Sequence, residues 1–389
     1  MSELRFRPLD GELELARLGD IEGWSFGVPS ADSAAWLTRG GLEHVRVALL
    51  GERLVGGLLL VPMGQWFGGK SVPMTGIAGV GVAAEARGRG VARRMMAHAV
   101  RELYEQGVAL STLYPATVPL YRSAGYELAG CRFEAEVRPS QIGILERELE
   151  VRAIAETDHA RLAELYRARA VEENGYLDRG EYIWSRVRAP GNQPCRGWLV
   201  EHHGVPEGYV YLRQKANGPR YDLLLTDLCA VNRRALRRLW TFLGDHRSLA
   251  ERVLWHAGPA DPFVTDLPEC GVQVRLNHHW MLRVVEPVAA LGARGYPLGL
   301  RAELDLEVID ELLGARHRLH LSVADGAAEV RLGGTGALRL DVKGLAALFS
   351  GFSSPRALVV AGLATGDADV LERARSLFAL PMPTMPDMF

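Results

Sequence analysis

The chain has 389 residues, 45 basic against 47 acidic side chains and a formal net charge of −2 at pH 7. This length predicts two or three domains, and the balanced charge argues against a nucleic-acid-binding protein. The apolar runs are shorter than the ~20 residues that span a bilayer, and residues 1–10 lack an apolar signal-peptide core, so we expect a cytoplasmic protein with no membrane segment.

Cysteine and histidine spacing bears on redox state and metal binding. The cysteines form no C-x-x-C pair, which predicts reduced, mostly buried thiols at Cys131, Cys195, Cys229 and Cys270. The histidine pairs at 202/203, 278/279 and 317/320 have no carboxylate or thiol at a suitable spacing. No metal site is therefore predicted.

The first part of the chain, residues 1–138, is predicted to form one domain that closes near residues 131–139. Apolar runs at 45–50 and 54–61 flank Gly51 and predict a hairpin, and residues 71–82 add a third strand. A helix follows from apolar residues at helical spacing: Ala92, Met95, Met96, Ala99, Val100 and Leu103. Residues 110–113 predict the next strand, and residues 115–121 a short segment that bends.

The second part, residues 139–285, repeats this order. Thr157 and Asp158 are predicted to cap a helix that continues to Ala170. Strands at 197–202 and 208–212, around a turn at 204–206, precede a strand at 221–228 and a helix at 231–243. Hairpin, strand and helix thus recur, which indicates an internal duplication.

The third part, residues 286–389, is predicted to be α+β. Alternating apolar and polar residues indicate strands at 298–306, 317–323, 327–332 and 337–342, with turns at 324–326 and 333–336. Helices are predicted at 344–349 and 370–378. Three prolines in residues 379–389 predict an extended tail along a surface.

Residues 80–92 combine an apolar strand, a turn with two glycines and two arginines, and the start of a helix. Glycines let backbone N–H groups converge on a diphosphate, and the helix N-terminus and Arg87 and Arg89 add positive charge. The alternative is a surface turn with solvated arginines. A Rossmann dinucleotide site is a weaker alternative, because the third glycine of its motif is missing.

This turn resembles the R/Q-x-x-G-x-G/A signature of the GNAT superfamily of N-acetyltransferases, and residues 120–126, LYRSAGY, resemble that superfamily's F/L-Y-x-x-x-G-F/Y ending. The whole chain is similar to the Eis-like acetyltransferases. The resemblance implies an α/β (α+β) fold with two fused acetyltransferase-type domains containing mixed sheets, followed by a sterol-carrier-like α+β domain. It also implies a homo-oligomer, commonly a hexamer, and a C-terminal carboxylate that enters the first domain's active site.

Acetyl-CoA is the co-substrate that the resemblance implies, with a small-molecule or peptide amine as acceptor. The family pattern makes Tyr121 the general acid and the Phe389 carboxylate the general base, with a backbone N–H near Val82 at the thioester oxygen. The cofactor-binding residues are then Val80, Gly81, Val82, Arg87, Gly88, Arg89, Gly90, Val91, Ala92, Arg93, Ala116 and Thr117. From the residues alone, Tyr121 could equally be a core aromatic and Phe389 a frayed terminus.

Three further expectations concern the rest of the molecule. Residues 229–235 of the second copy contain no glycine, so one cofactor site per chain is expected. Aromatic residues either line the acceptor pocket or pack in the core: Trp24, Phe26, Trp36, Trp66 and Phe67. The penultimate residue is Met388 beside Asp387, a departure from relatives that bind polycationic amines and place acidic groups near the tail. The alternative function is an apolar-ligand-binding protein that uses the C-terminal domain and has a vestigial acetyltransferase half.

Overall fold

The computed structural model describes residues 4–269 and 271–389. The predicted thiol Cys270 lies outside the described residues. Within the described residues the other three cysteines are thiols, as predicted, with Cys131 and Cys229 buried and Cys195 half-buried. Within the described part of the chain, no helix is both long enough and apolar enough to cross a membrane.

Twelve helices and eighteen strands are numbered here in chain order over the described residues. The helices are α1 (Gly11–Phe26), α2 (Ser30–Gly40), α3 (Val91–Glu105), α4 (Val118–Arg122), α5 (His159–Ala170), α6 (Glu181–Arg188), α7 (Arg233–Gly244), α8 (Pro262–Thr265), α9 (Pro287–Ala293), α10 (Val342–Phe349), α11 (Pro355–Val360) and α12 (Ala368–Leu377). The strands are β1 (Leu4–Pro8), β2 (Val45–Leu50), β3 (Arg53–Phe67), β4 (Lys70–Val82), β5 (Leu110–Leu113), β6 (Glu127–Val137), β7 (Glu150–Ala153), β8 (Leu177–Asp178), β9 (Arg196–His202), β10 (Val205–Asn217), β11 (Arg220–Ala230), β12 (Ala250–Trp255), β13 (Gln273–Val284), β14 (Ala302–Asp310), β15 (Ala315–Ala324), β16 (Ala327–Leu332), β17 (Leu338–Asp341) and β18 (Ala364–Thr365).

The chain forms two compact units. The first consists of residues 4–130, 279–383 and 389, and the second of residues 131–269, 271–278 and 384–388. Strand β6 contributes residues 127–130 to the first unit and 131–137 to the second, and β13 is likewise shared.

The first unit contains the predicted hairpin and third strand. Strands β1 to β4 pair antiparallel in sequence order, β4 pairs parallel with β5, and residues 281–284 of β13 pair antiparallel with β5. A Cβ added at Gly57 of β3 would meet Leu18 of α1, whereas one at Gly56 would meet Met95 of α3. Because neighbouring strand residues point to opposite faces, α1 and α3 cover opposite faces of this sheet.

The first unit also contains a five-stranded sheet in the order β16-β15-β14-β17-β18, accompanied by α10, α11 and α12. This confirms the α+β prediction for the third part of the chain. The predicted strand start at Leu298 is wrong, because Gly299 has a φ of +75° in a turn and β14 begins only at Ala302.

The second unit repeats the topology of the first, as the duplication predicts. Strands β9, β10 and β11 pair antiparallel in order, α7 follows β11, and β11 then pairs parallel with β12. Asp158 is the N-cap residue of α5, as predicted, but its side chain makes no capping hydrogen bond to that helix. The Asp158 carboxylate accepts a hydrogen bond from the Ala155 N–H and pairs with Arg152, so it braces the turn before α5 instead of capping it.

Candidate active site

Strands β4 and β5 begin as a parallel pair and then separate. Their pairing runs from Met74↔Leu110 to Gly76↔Thr112, although β4 continues to Val82. The wedge between them therefore exposes one backbone edge of β4 over residues 77–82, which include Val80, Gly81 and Val82. Such an edge can pair with an extended ligand.

A β-bulge interrupts β4 along this edge. Ala78 pairs with Leu59 and Gly81 with Gly57, so three steps along β4 match two along β3. Gly79 lies in the bulge with a φ of +58°, in the left-handed region that favours glycine. In a regular strand Ala78 and Gly81 would point to opposite faces of the sheet. With the extra residue, Gly76, Ala78 and Gly81 all point to the face that α1 covers.

The turn that follows β4 opens α3 at Val91. Gly88 and Gly90 have φ values of +73° and +70°, with open space where a Cβ would stand. Gly90 supplies no side-chain cap, so it leaves the first N–H groups of the helix without an intrahelical or capping side-chain acceptor. Arg87, Gly88, Arg89 and Arg93 are exposed around this end, Ala92 is half-buried and Val91 is buried. The arrangement is suited to bind an anion.

Charges beside the turn leave it positive. The carboxylate of Glu85 pairs with Arg53 and, at 3.2 Å, with Arg17. Arg87 donates from Nε to the Val82 carbonyl at 3.2 Å and from Nη2 to the Ser25 hydroxyl at 3.3 Å. These bonds hold one guanidinium at the end of β4.

The matching turn of the second copy is closed. The Asn232 side chain accepts a hydrogen bond from the Ala235 N–H at 3.0 Å and so occupies the N-terminus of α7. The side chain of Arg234 pairs with Glu207, and that of Arg233 with Asp266 at 2.8 Å. The Asn232 side chain and these ion pairs therefore occupy the groups that would bind an anion at this turn.

Residues 114–126 line the other side of the wedge. The predicted bend contains a short helix, α4, with Thr117 as its N-cap residue, and Ala116 and Thr117 are exposed. Tyr121 is 5% exposed, and its ring contacts that of Tyr126 edge-on at 6.4 Å. Burial, and secondarily the charge of Glu22, raise the pKa of Tyr121 to about 12. Its hydroxyl is protonated at neutral pH and can donate a proton.

Gly125 has no room for a side chain. Its φ is +82°, and an added Cβ would lie 1.6 Å from Nη1 of Arg283. Arg283 is buried, donates to the Ala124 carbonyl at 2.7 Å and pairs with Asp310. This arginine therefore supports the turn that directly follows Tyr121.

The last residue lies at the point where β4 and β5 separate. A Cβ at Gly76 would be 2.5 Å from the Phe389 ring, and that ring is 6.0 Å from the ring of Tyr114. The Phe389 ring thus packs on Gly76, the last residue of β4 that pairs with β5.

The preceding tail residues, 384–388, are ordered within the second unit. Their contacts are a parallel bridge between Thr384 and Cys131, the bond from Thr384 N–H to Asn174 O at 2.8 Å, the bond from Arg132 Nε to Pro386 O at 2.9 Å, and the buried ion pair between Arg179 and Asp387 at 2.9 Å. The tail is extended and is not frayed. Its predicted course along a surface is correct only in part, because Met385 and Asp387 are buried whereas Met382 and Met388 are exposed. Arg179 pairs with both Asp387 and Asp227, so the Asp387 carboxylate is engaged within the protein.

The five candidate aromatic residues have different surroundings. Trp66 and Phe67 are core residues, whereas Trp24 and Phe26 at the end of α1 are 75% and 52% exposed. Only Trp36 lies against the bulge, where its Cη2 is 2.5 Å from the position of a Cβ on Gly79.

Sequence reasoning missed Glu22 of α1. This residue is 1% exposed, and its Oε1 is 2.6 Å from the position of a Cβ on Gly81. The available signal was its spacing, because Glu22 follows the buried Leu18 by four residues and so shares the buried face of the helix.

Comparison with known proteins agrees with this geometry. Models of the acetyltransferase (GNAT) domain match residues 14–129 and 175–284, and a model of the sterol carrier protein domain matches residues 287–386. GNAT enzymes use acetyl-CoA as co-substrate.

Solved structures and a curated relative are similar over most of the chain. A GCN5-related N-acetyltransferase from Anabaena variabilis is 36% identical, with a TM-score of 0.94 over 100% of both chains. One from Kribbella flavida is 30% identical, with a TM-score of 0.86 over 100% of this chain and 99% of that one. N-acetyltransferase Eis of Mycobacterium tuberculosis is 28% identical over 86% of this chain and 85% of its own. The chain belongs to the GCN5-related N-acetyltransferases and is an Eis-like acetyltransferase, with two GNAT domains and a sterol carrier domain.

Proposed function

We propose that the protein transfers the acetyl group of acetyl-CoA to a primary amine by direct attack. The wedge between β4 and β5, which ends at the glycine turn, carries this proposal. The diphosphate binds at residues 87–93, and the pantetheine arm pairs with Val80, Gly81 and Val82. Ala116 and Thr117 contact the arm from the other side.

Two groups at the wedge exchange protons during the transfer. The amine nitrogen attacks the thioester carbon, whose oxygen accepts a hydrogen bond from a backbone N–H near Val82. The carbon–sulfur bond breaks, and the sulfur takes the proton of the Tyr121 hydroxyl. The Phe389 carboxylate takes the proton that the amine loses. The high pKa of Tyr121, about 12, keeps its proton available at neutral pH.

The wider organisation is part of the same proposal. The catalytic domain spans residues 1–138, the degenerate copy residues 139–285, and the sterol-carrier-like domain residues 286–389. One acetyl-CoA binds per chain, because the second turn is closed by Asn232. The working form is a cytoplasmic homo-oligomer, a hexamer by similarity to Eis-like enzymes.

An acetyl-CoA consumption assay with a panel of amines tests the reaction, and tail variants test the base. Deleting Phe389 or adding a C-terminal tag should lower kcat by about 10²–10⁴, the range for a positioned general base. Phe389→Leu is the matched control, because it keeps the carboxylate and should retain most activity. A tagged enzyme with the untagged kcat would show that another group is the base.

Tyr121→Phe separates the acid from the base. It should lower kcat by about 10²–10⁴ as well, with unchanged acetyl-CoA affinity. Raising the pH supplies more neutral amine, so it should partly rescue the tail variants and leave Tyr121→Phe impaired. Equal rescue of both variants would contradict these roles.

A further inference from the structure

Glu22 is a buried acid that the acetyl-transfer steps above do not use. Neither carboxylate oxygen has a hydrogen-bond partner of ordinary geometry among residues 4–269 and 271–389. Burial raises the pKa of Glu22 well above 4.5, and the nearby Gly81 N–H opposes this only in part. A buried polar group without a partner costs stability. A ligand that pairs with this carboxylate would explain why it is there.

The carboxylate lies on the face of β4 that also carries the tail residue. Gly76, which contacts the Phe389 ring, pairs with Val61, while Gly81, beside Glu22, pairs with Gly57. These partners are four residues apart on β3, so the two ends of this face are about 13 Å apart. Glu22 and the ring of Phe389 thus lie along the same face of β4.

The bulge makes room for Glu22 through glycine. A Cβ on Gly81 would be 2.6 Å from Glu22 Oε1, and one on Gly79 would be 3.2 Å from Oε2. The same Cβ on Gly79 would be 2.5 Å from the Trp36 ring. A carboxylate beside an indole ring is a combination that favours an ammonium group, through ion pairing and cation–π attraction.

Glu22 also influences a second group of the proposed mechanism. Its charge contributes to the raised pKa of Tyr121, the proposed acid. Glu22 and Tyr121 are therefore electrostatically coupled.

Resting on the proposed function, we propose that Glu22 binds the ammonium form of the acceptor and takes one proton from it, which selects cationic alkyl amines. The ion pair RNH3+ and Glu22 carboxylate becomes neutral RNH2 and a neutral carboxyl, the form that burial favours. The neutral amine then attacks the thioester. Its second proton passes to the Phe389 carboxylate, and the sulfur takes the proton of Tyr121.

Calorimetry on CoA-saturated protein tests the binding step with butylamine, a cation at neutral pH, and aniline, which is neutral. Glu22→Gln should weaken butylamine binding by about 10- to 100-fold and leave aniline binding unchanged. Glu12→Gln, an exposed acid on the same helix, is the matched control and should behave as wild type. An equal effect on both amines, or none, would overturn the proposal.

Turnover with acetyl-CoA gives a second readout. The Glu22→Gln variant needs amine that is already neutral, so its kcat/KM for butylamine should rise with pH more steeply than that of wild type. If the wild type acetylates no amine, the proposed function fails, yet the calorimetry still decides whether Glu22 binds ammonium. Parallel pH profiles for wild type and Glu22→Gln would count against proton transfer to Glu22.

Discussion

Glu22 is the clearest case in which one residue opposes stability in the free protein. In the unfolded chain its carboxyl ionises near 4.5, whereas in the folded protein burial keeps it protonated to higher pH. Above 4.5 the unfolded state therefore binds fewer protons than the native state, and this group lowers stability as pH rises until the folded pKa is passed.

Glu22→Gln should therefore stabilise the protein in a pH-dependent way. The gain in unfolding free energy over wild type should be small near pH 4.5 and grow toward neutral pH. Each pH unit above 4.5, up to the folded pKa, should add about 1.4 kcal/mol to the gain. Urea unfolding at a series of pH values measures it, with Glu12→Gln as reference. A gain that is independent of pH would rule out ionisation as the cause.

At the scale of elements, two homologous turns have different chemistry. The first leaves the N-terminus of α3 open through Gly88 and Gly90, and the second fills the N-terminus of α7 with the Asn232 side chain. Both turns carry arginines, so charge alone does not distinguish them.

Arg87→Ala and Gly90→Asp should weaken acetyl-CoA binding. The arginine variant loses a charge-assisted contact of about 1.5–3 kcal/mol, and the aspartate repels the diphosphate and blocks backbone approach. Arg234→Ala in the second turn is the matched control and should bind acetyl-CoA as wild type does. Equal losses for Arg87→Ala and Arg234→Ala, measured by calorimetry, would refute a single cofactor site in the first copy.

The turn between α4 and β6 depends on a glycine for two reasons that can be separated. Gly107, in the turn after α3, serves as the comparison because its φ is +70° but the space around it is open. Gly107→Ala should therefore show the cost of the backbone conformation alone, about 1–2 kcal/mol. Gly125→Ala should cost about 1–3 kcal/mol more, since its Cβ would collide with Arg283. It should also lower kcat by displacing Tyr121. Chemical denaturation of both variants compares them, and equal costs would show that Arg283 yields without penalty.

At the scale of the molecule, residues distant in sequence support the candidate site within the first unit. Arg283 and its partner Asp310 come from the last third of the chain, and Phe389 is its final residue. Truncation after the first domain would remove all three. An isolated N-terminal domain is therefore expected to lack the complete site.

Assembly is testable at this scale. By similarity to Eis-like enzymes, light scattering should give a mass several times the 42.6 kDa of one chain. A mass near that of a single chain at working concentration would contradict the oligomer.

Features carried by neighbouring residues could be predicted from the sequence. The hairpin of β2 and β3, helix α3 and the glycine turn follow from apolar periodicity and from glycine at positive φ, which are local properties. The repeated strand and helix order was likewise readable. The start of β14 and the hydrogen bonding of the Asp158 side chain were not, because the conformation of Gly299 and the pairing of Asp158 with Arg152 decide them.

The features of the candidate site likewise fall into those that are local in sequence and those that depend on tertiary contacts. The sequence determined the glycine turn before α3 and the tyrosine motif, since each is a short continuous segment. Tertiary structure alone decided that Glu22 lies beside Gly81, that Phe389 rests on Gly76 and that Arg283 occupies the space beside Gly125. Strand register, a bulge and packing between distant segments create these contacts, and none of them leaves a periodic signal in the sequence.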